Sequence, residues 1–129
     1  MTTDRKKVFL VDDNISNLHI GKSMLHSHYQ VFAMPSAVKM FEALGKVIPD
    51  IILLDIDMPV MNGYEAIKKL KTEPQYADIP VIFLSSRNDE ESIREGLRLG
   101  AFYYVHKPYN LESIVNYIEA AIIKNTNTK

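Results

Sequence analysis

Four of the acidic residues stand in two pairs whose type and spacing could support phosphorus chemistry. Asp12 and Asp13 follow the apolar run KVFLV, and Asp55 and Asp57 follow the apolar run IILL, with Asp55 directly after it. A buried carboxylate is unfavourable unless a cation or hydrogen bonds compensate its charge. Acids placed at the ends of strongly apolar segments therefore indicate a site in which something neutralises them.

Other polar side chains end the remaining apolar runs. Ser85 and Ser86 end the segment VIFLSS, and Lys107 ends the segment YYVHK, just before Pro108. If these runs are parallel strands of one doubly wound sheet, their carboxyl ends meet along the same edge. The acids, a serine hydroxyl and an ammonium group would then share a small volume.

Such crowding of carboxylates calls for a counter-charge, because neighbouring like charges cannot all remain ionised. Mg²⁺ suits a site with one or two carboxylates, a backbone carbonyl and several waters, and Lys107 adds a further positive charge. A carboxylate beside Mg²⁺ can attack phosphorus and form an aspartyl phosphate. Asp55 is the predicted nucleophile, with Lys107 and the Ser85 hydroxyl meeting the phosphoryl oxygens.

The elements that must position these residues are short apolar runs alternating with helical patterns. The runs, in chain order, are KVFLV, QVFAM, DIILLD, PVIFLS and AFYYVHK. Asn14 is a predicted N-cap for the first helix. This alternation predicts an α/β fold, with a parallel sheet covered by helices on both faces.

Helical spacing in the first two helices predicts their buried faces. In the first helix the predicted buried positions are Leu18, Gly21 and Leu25. In the second helix they are Val38, Phe41 and Leu44.

Composition narrows the classes of function. The 129 residues suffice for one globular domain, and the net charge of −1 lacks the basic surplus usual in domains that bind nucleic acid by themselves. The absence of cysteine excludes disulfides and thiolate metal sites. No apolar run approaches the ~20 residues that a membrane helix needs, and no export signal is evident. We therefore expect a cytoplasmic protein without a membrane segment.

The ordered motifs VDDN, LLDIDMPVMNG, VIFLSS and GAFYYVHKPYN resemble the receiver domain of two-component response regulators. The resemblance covers residues 6 to about 124, and the ordered set is far more specific than any single motif. It implies a flavodoxin-like, doubly wound fold with five parallel strands in the order 2-1-3-4-5 and five flanking helices. We predict a receiver domain at 1–124, and a polar tail or the start of a linker at 125–129.

The resemblance also implies roles for the site residues. Asp55 would accept a phosphoryl group from a sensor histidine kinase or a histidine phosphotransfer protein. Asp13 and Asp55 would bind Mg²⁺, with Asp12 supporting the ion through water and the backbone carbonyl of Asp57 completing the protein ligands. Lys107 matches the family's lysine. Such a domain catalyses its own phosphorylation and dephosphorylation and is not a turnover enzyme.

The resemblance further implies a conformational switch. Ser85 matches the switch Ser/Thr, and Tyr104 matches the aromatic residue whose rotamer follows phosphorylation. Phosphorylation of Asp55 would draw Ser85 towards the phosphoryl group, let Tyr104 swing inwards, and change the surface around the fourth helix and fifth strand. Asp57 and Arg87 occupy two variable positions that tune phosphoryl lifetime in the family, and they could pair over the site. Phosphorylation-driven homodimerisation through the fourth helix, fifth strand and fifth helix is common in the family.

Two other functions fit part of the pattern. Asp55 and Asp57 also match the Asp-x-Asp motif of haloacid dehalogenase-type phosphohydrolases, although there the motif ends the first strand rather than the third. Alternatively, the chain keeps only the fold and acts as an interaction module that is not phosphorylated. No DNA-binding, cyclase or phosphodiesterase motif lies in the sequence, so the output domain or target and the cognate kinase stay open.

Overall fold

The computed structural model describes residues 5–127, which form five strands and five helices in alternation. The strands are β1 (Lys7–Val11), β2 (Gln30–Met34), β3 (Ile51–Asp55), β4 (Val81–Ser85) and β5 (Tyr103–His106). The helices are α1 (Ile15–Leu25), α2 (Ala37–Leu44), α3 (Gly63–Thr72), α4 (Glu90–Arg98) and α5 (Leu111–Asn127). All neighbouring strands are parallel, in the order β2-β1-β3-β4-β5, which confirms the predicted fold.

Both faces of the sheet are covered, as continuous apolar strands require. Successive side chains of β3 point to opposite faces, so Ile52 and Leu54 join one core and Ile51 and Leu53 join the other. The first core lies under α2, α3 and α4, and the second lies under α1 and α5. Burying each of these side chains contributes roughly 1.5–3 kcal/mol. The central strand is therefore firmly held, and its carboxyl end is a rigid support for a site.

Side-chain caps define where the helices begin at this end of the sheet. Asn14, Ser36, Asn62 and Asp89 each accept a hydrogen bond from a backbone N–H in the first turn of α1, α2, α3 and α4, respectively. Such caps typically stabilise a helix by ~1 kcal/mol. The cap at Asn14 is as predicted. The buried positions of α1 are also those that the spacing predicts: Leu18, Gly21 and Leu25.

The buried face of α2 differs from the predicted one. Val38 is 47% exposed, whereas Ala37, Met40 and Leu44 are buried. These three residues recur at i, i+3 and i+7, which keeps them closer to one helical face than the i, i+3, i+6 spacing on which the prediction rested. Phe41 is only partly buried, at the side of the core. The prediction is confirmed for Leu44 and wrong for Val38, because it favoured a large side chain over the small Ala37.

Helix α5 continues to Asn127, past the domain boundary at 124 that the sequence predicts. The division into a domain at 1–124 and a tail at 125–129 stays a prediction, and residues 128–129 lie outside the described part of the chain. Within residues 5–127, no helix combines the length and the apolar composition needed to cross a membrane.

Candidate functional site

Asp12, Asp13 and Asp55 lie together at the carboxyl edge of the sheet. Asp55 is the last residue of β3, and Asp12 directly follows the neighbouring strand β1. One carboxylate oxygen from each of the three residues lies within 4.8 Å of the others. Asp12 and Asp55 are only 3% and 5% exposed, whereas Asp13 is exposed. The strands thus bring these acids to one edge, as the sequence predicts.

Lys107 contacts both buried acids. Its Nζ donates a hydrogen bond to Asp12 Oδ2 at 2.8 Å and another to Asp55 Oδ1 at 3.2 Å. The other oxygen of Asp12 accepts from the backbone N–H of Asn14 at 2.9 Å. The Lys107–Pro108 peptide bond is cis. Through its two hydrogen bonds, the lysine connects the end of β5 with the ends of β1 and β3, and β4 lies between them in the sheet.

The electrostatics of the site favour a further cation. Burial raises the pKa of Asp55 to about 6; the charges of Asp12 and Asp13 also raise it, and Lys107 opposes them. Burial lowers the pKa of Lys107, but the hydrogen bonds and charges of Asp12 and Asp55 outweigh burial and raise it. The ammonium group of Lys107 thus contacts two of the three clustered carboxylates, and its single positive charge does not balance them.

The acid cluster fits a hard divalent cation. Carboxylate oxygens are the preferred ligands of Mg²⁺ and Ca²⁺, and the three converging oxygens provide them. A divalent ion would stabilise the buried Asp55 carboxylate, whose pKa is raised chiefly by burial, and would also relieve its repulsion by Asp12 and Asp13. This group of residues could therefore bind a metal ion.

The two predicted switch residues are connected through the backbone of Arg87. Ser85 is fully buried at the end of β4, and its Oγ accepts from the Arg87 N–H at 3.0 Å. Tyr104 of β5 is partly exposed, and its hydroxyl donates to the Arg87 carbonyl oxygen at 3.0 Å. A movement of Ser85 would therefore change the loop segment to which Tyr104 is bonded.

The side chain of Asp57 lies apart from the acid cluster. Its carboxylate accepts from Arg87 Nε at 3.0 and 3.1 Å and from a terminal guanidinium nitrogen. Both side chains are about half exposed. The pair that the sequence predicts is thus present, and it joins the β3–α3 loop to the β4–α4 loop. The tuning role of Asp57 and Arg87 stays a prediction, as does the Asp57 backbone carbonyl as a metal ligand.

A contact near the site has no signal in the sequence. Tyr64, in the first turn of α3, donates its hydroxyl to the carbonyl oxygen of Ser92 in α4 at 2.8 Å. Its ring packs edge to face on Phe83 of β4, with ring centroids 5.6 Å apart. The helical pattern around Tyr64 predicts only that α3 forms. The partner of the hydroxyl depends on the packing of α3 against α4, which a single sequence does not reveal.

The chain also matches a known family over most of its length. The model of the response regulator receiver domain matches residues 8–119, in which the motifs around Asp12, Asp55, Ser85 and Lys107 occur in the predicted order. The chain belongs to this family. A receiver domain acts as a switch that works with histidine kinases and output domains, and the match favours this class over the phosphohydrolase alternative.

Similar proteins carry the receiver fold in different settings. The chain is 38% identical over 104 residues to a probable cyclic di-GMP phosphodiesterase of Vibrio cholerae, covering 81% of this chain and 24% of that protein. It is 29% identical over 117 residues to the protein PilH of Pseudomonas aeruginosa, covering 90% and 97%. The structure of the chemotaxis protein CheY4 of Vibrio cholerae has a TM-score of 0.85 and 29% identity, covering 91% and 98%. The receiver domain spans 12% to 55% of the first curated relatives that it matches.

Proposed function

We propose that this receiver domain is a phosphorylation-dependent signalling switch in which Asp55 accepts a phosphoryl group. The observation that carries the proposal is the position of Asp55, buried at the end of the central strand, with Lys107 Nζ 3.2 Å from one of its oxygens. The phosphoryl donor is a histidine kinase or a histidine phosphotransfer protein. The donor's N–P bond breaks, and an O–P bond to the Asp55 carboxylate forms.

Mg²⁺ is the cation that fits the proposed reaction. Asp13 and Asp55 would hold it directly, Asp12 would do so through water, and the backbone carbonyl of Asp57 would complete the protein ligands. Support comes from the three converging carboxylate oxygens. When bound, the ion supplies positive charge that neutralises the acids and the phosphoryl oxygens.

Lys107 and Ser85 position the phosphoryl group. Before phosphoryl transfer, the ammonium group of Lys107 donates a hydrogen bond to Asp55. After transfer, a charge-assisted hydrogen bond to a phosphoryl oxygen would replace part of that interaction. Ser85 lies at the end of the neighbouring strand, and its hydroxyl would donate to another phosphoryl oxygen. Neither residue forms a covalent bond to phosphorus; each offsets charge and fixes orientation.

The output of the switch is a change in the surface around α4 and β5. When Ser85 turns towards the phosphoryl group, its hydrogen bond from the Arg87 N–H is lost. The Arg87 carbonyl that now holds the Tyr104 hydroxyl shifts with the loop, and Tyr104 is free to turn inwards. Phosphorylation therefore biases the populations of two packings.

The pair of Asp57 and Arg87 tunes the lifetime of the phosphorylated state. It joins the loops that follow β3 and β4, which are the strands carrying Asp55 and Ser85. A closed pair would limit the approach of water to the acyl phosphate. The whole protein's partners, phosphorylation-driven dimerisation and cytoplasmic location remain predictions.

Incubation with Mg²⁺ and acetyl phosphate, followed by intact mass measurement, tests the proposal. We expect one phosphoryl adduct on the wild type and on Asp57→Asn, and none on Asp55→Asn. The Asp57 variant is the control for loss of a nearby acid: its side chain lies outside the cluster, so the adduct should still form, although loss of the pair with Arg87 should shorten its lifetime. An adduct that forms without Mg²⁺, or on Asp55→Asn, would overturn the assignment. Failure of the wild type to form any adduct would instead favour an interaction module that is not phosphorylated.

A further inference from the structure

Helix α4 is held against the sheet by small residues. Its buried residues are Ser92 and Gly96, whereas the buried residues of α1, α2 and α3 each include at least one Leu. The apolar Leu97 of α4 is 45% exposed. Segments with little buried apolar surface open and move at low free-energy cost. Individual hydrogen bonds therefore matter more for the position of α4 than for the other helices.

Two tyrosine hydroxyls bond to the backbone at the start of α4 and in the loop just before it. Tyr64 donates to the Ser92 carbonyl at 2.8 Å, and Tyr104 donates to the Arg87 carbonyl at 3.0 Å. Both tyrosine rings pack on the Phe83 ring, with centroid distances of 5.6 Å for Tyr64 and 6.4 Å for Tyr104. The two tyrosines come from different elements, α3 and β5, and both donate to backbone carbonyls within residues 87–92.

Gly96 places the backbone of α4 directly on these rings. A Cβ atom added there would lie 2.9 Å from Phe83 Cδ2 and 3.2 Å from Tyr104 Cδ2. Close-packed groups of this kind transmit displacement rather than absorb it. A rotation of the Tyr104 ring would therefore push on α4 at Gly96. The hydrogen bond from Tyr64 to Ser92 would oppose a displacement of the helix.

We propose that Tyr64 is a positioning residue that restrains α4 in the unphosphorylated arrangement and so sets the population gap between the two states of the switch. The proposal rests on the proposed function. The backbone that carries Tyr64 is anchored by Ala66, Ile67 and Leu70, which are buried in α3. The Ser92 carbonyl belongs to the weakly anchored α4, so a displacement of α4 lengthens or breaks the bond. Loss of one such hydrogen bond corresponds to about a two- to tenfold change in an equilibrium constant.

The variant Tyr64→Phe isolates this bond, because it keeps the ring on Phe83 and removes only the hydroxyl. Tyr103→Phe is the matched control, since the Tyr103 ring packs on Tyr117 of α5, with centroids 4.6 Å apart. We expect amide hydrogen exchange in 90–98 to quicken about two- to tenfold in Tyr64→Phe, with α5 and the control unchanged. Unchanged exchange in α4 would overturn the proposal. An equal increase in α5 would also overturn it, because it would show a general structural role.

A titration with beryllofluoride and Mg²⁺, which mimic the phosphoryl group, separates this proposal from the proposed function. Backbone amide NMR signals of 90–98 report the response. We expect Tyr64→Phe to bind about two- to tenfold more tightly than the wild type, because more of it already occupies the competent state. Equal binding by the two proteins would overturn the role of Tyr64 alone. A wild type that responds no more than Asp55→Asn would instead overturn the proposed function, and the role of Tyr64 in the switch with it.

Discussion

Replacing Asp55 with Asn should stabilise the unphosphorylated protein when Mg²⁺ is absent. Burial and the neighbouring acids raise the pKa of Asp55 from 3.8 to about 6, so the ionised carboxylate is less favourable in the folded state than in the unfolded chain. That difference corresponds to about 3 kcal/mol at pH 7.5. Asn is nearly the same size, and its carbonyl oxygen can accept from Lys107 Nζ, which also keeps its bond to Asp12. We therefore expect a gain of about 1–3 kcal/mol in the free energy of unfolding.

The pH dependence has a definite sign. Because the folded-state pKa of Asp55 is the higher one, the destabilisation is fully present above about pH 6. It fades as the pH falls below this value and disappears below 3.8, where the carboxyl group is protonated in the folded and the unfolded states alike. The advantage of Asp55→Asn should therefore shrink steadily between pH 6.5 and about pH 4. Other titrating groups occur in both proteins and largely cancel in the difference.

Urea unfolding of the two proteins, followed by circular dichroism with EDTA present, measures this difference. Asp57→Asn is the matched control: its carboxylate is half exposed and paired with Arg87, so we expect a loss of at most about 1 kcal/mol. Mg²⁺ at 100 times its dissociation constant should stabilise the wild type by about 2.7 kcal/mol and narrow its gap to Asp55→Asn. A lower free energy of unfolding for Asp55→Asn than for the wild type at pH 7.5 would refute a destabilising Asp55 carboxylate. So would a stability difference that does not shrink as the pH falls.

Further changes test other parts of the site. Lys107→Gln should slow phosphorylation by acetyl phosphate about 10- to 100-fold, because a charge-assisted hydrogen bond is lost; a rate within twofold of wild type, measured by intact mass, would contradict its role. Arg87→Gln should shorten the lifetime of the phosphorylated protein by up to about fivefold, since an exposed pair contributes up to ~1 kcal/mol; a longer lifetime in a phosphate-release assay would contradict the gating by this pair. Gly63→Ala should destabilise the protein by about 1–3 kcal/mol, because its Cβ would lie 2.6 Å from the Asp55 carbonyl oxygen. Gly45→Ala, whose Cβ would meet a tight but much less severe contact of 3.3 Å, is the control in urea unfolding, and equal stability of the two variants would contradict the packing.

Much of the fold is predictable because its signals are local. The apolar runs without alternation specify strands buried on both faces, and the cap at Asn14 follows from its position before a helical pattern. The acids at the ends of β1 and β3 lie at one edge because parallel strands share it, and the strand order that makes these two strands neighbours was implied by the resemblance. The pairing of Asp57 with Arg87 was expected from the resemblance, which puts an acid and a cation at two variable positions beside the site.

The remaining features depend on packing between distant elements. The hydroxyl of Tyr64 can donate to the Ser92 carbonyl because α3 and α4 lie side by side on the same face of the sheet. The buried face of α2 was mispredicted at Val38, because hydrophobic size was weighted above helical phase. The raised pKa of Asp55 depends on its burial in the folded protein more than on the neighbouring charges. A single sequence does not give the extent of that burial.

Identifying the residue that carries the phosphoryl group tests whether Asp55 is the phosphoryl acceptor. The protein is incubated with acetyl phosphate, the acyl phosphate is reduced with borohydride, and peptide mass spectrometry identifies the residue that has become homoserine. We expect conversion of Asp55 when Mg²⁺ is present and none when EDTA replaces it. Conversion at Asp12 or Asp13 instead, or conversion of Asp55 that does not depend on Mg²⁺, would contradict this expectation.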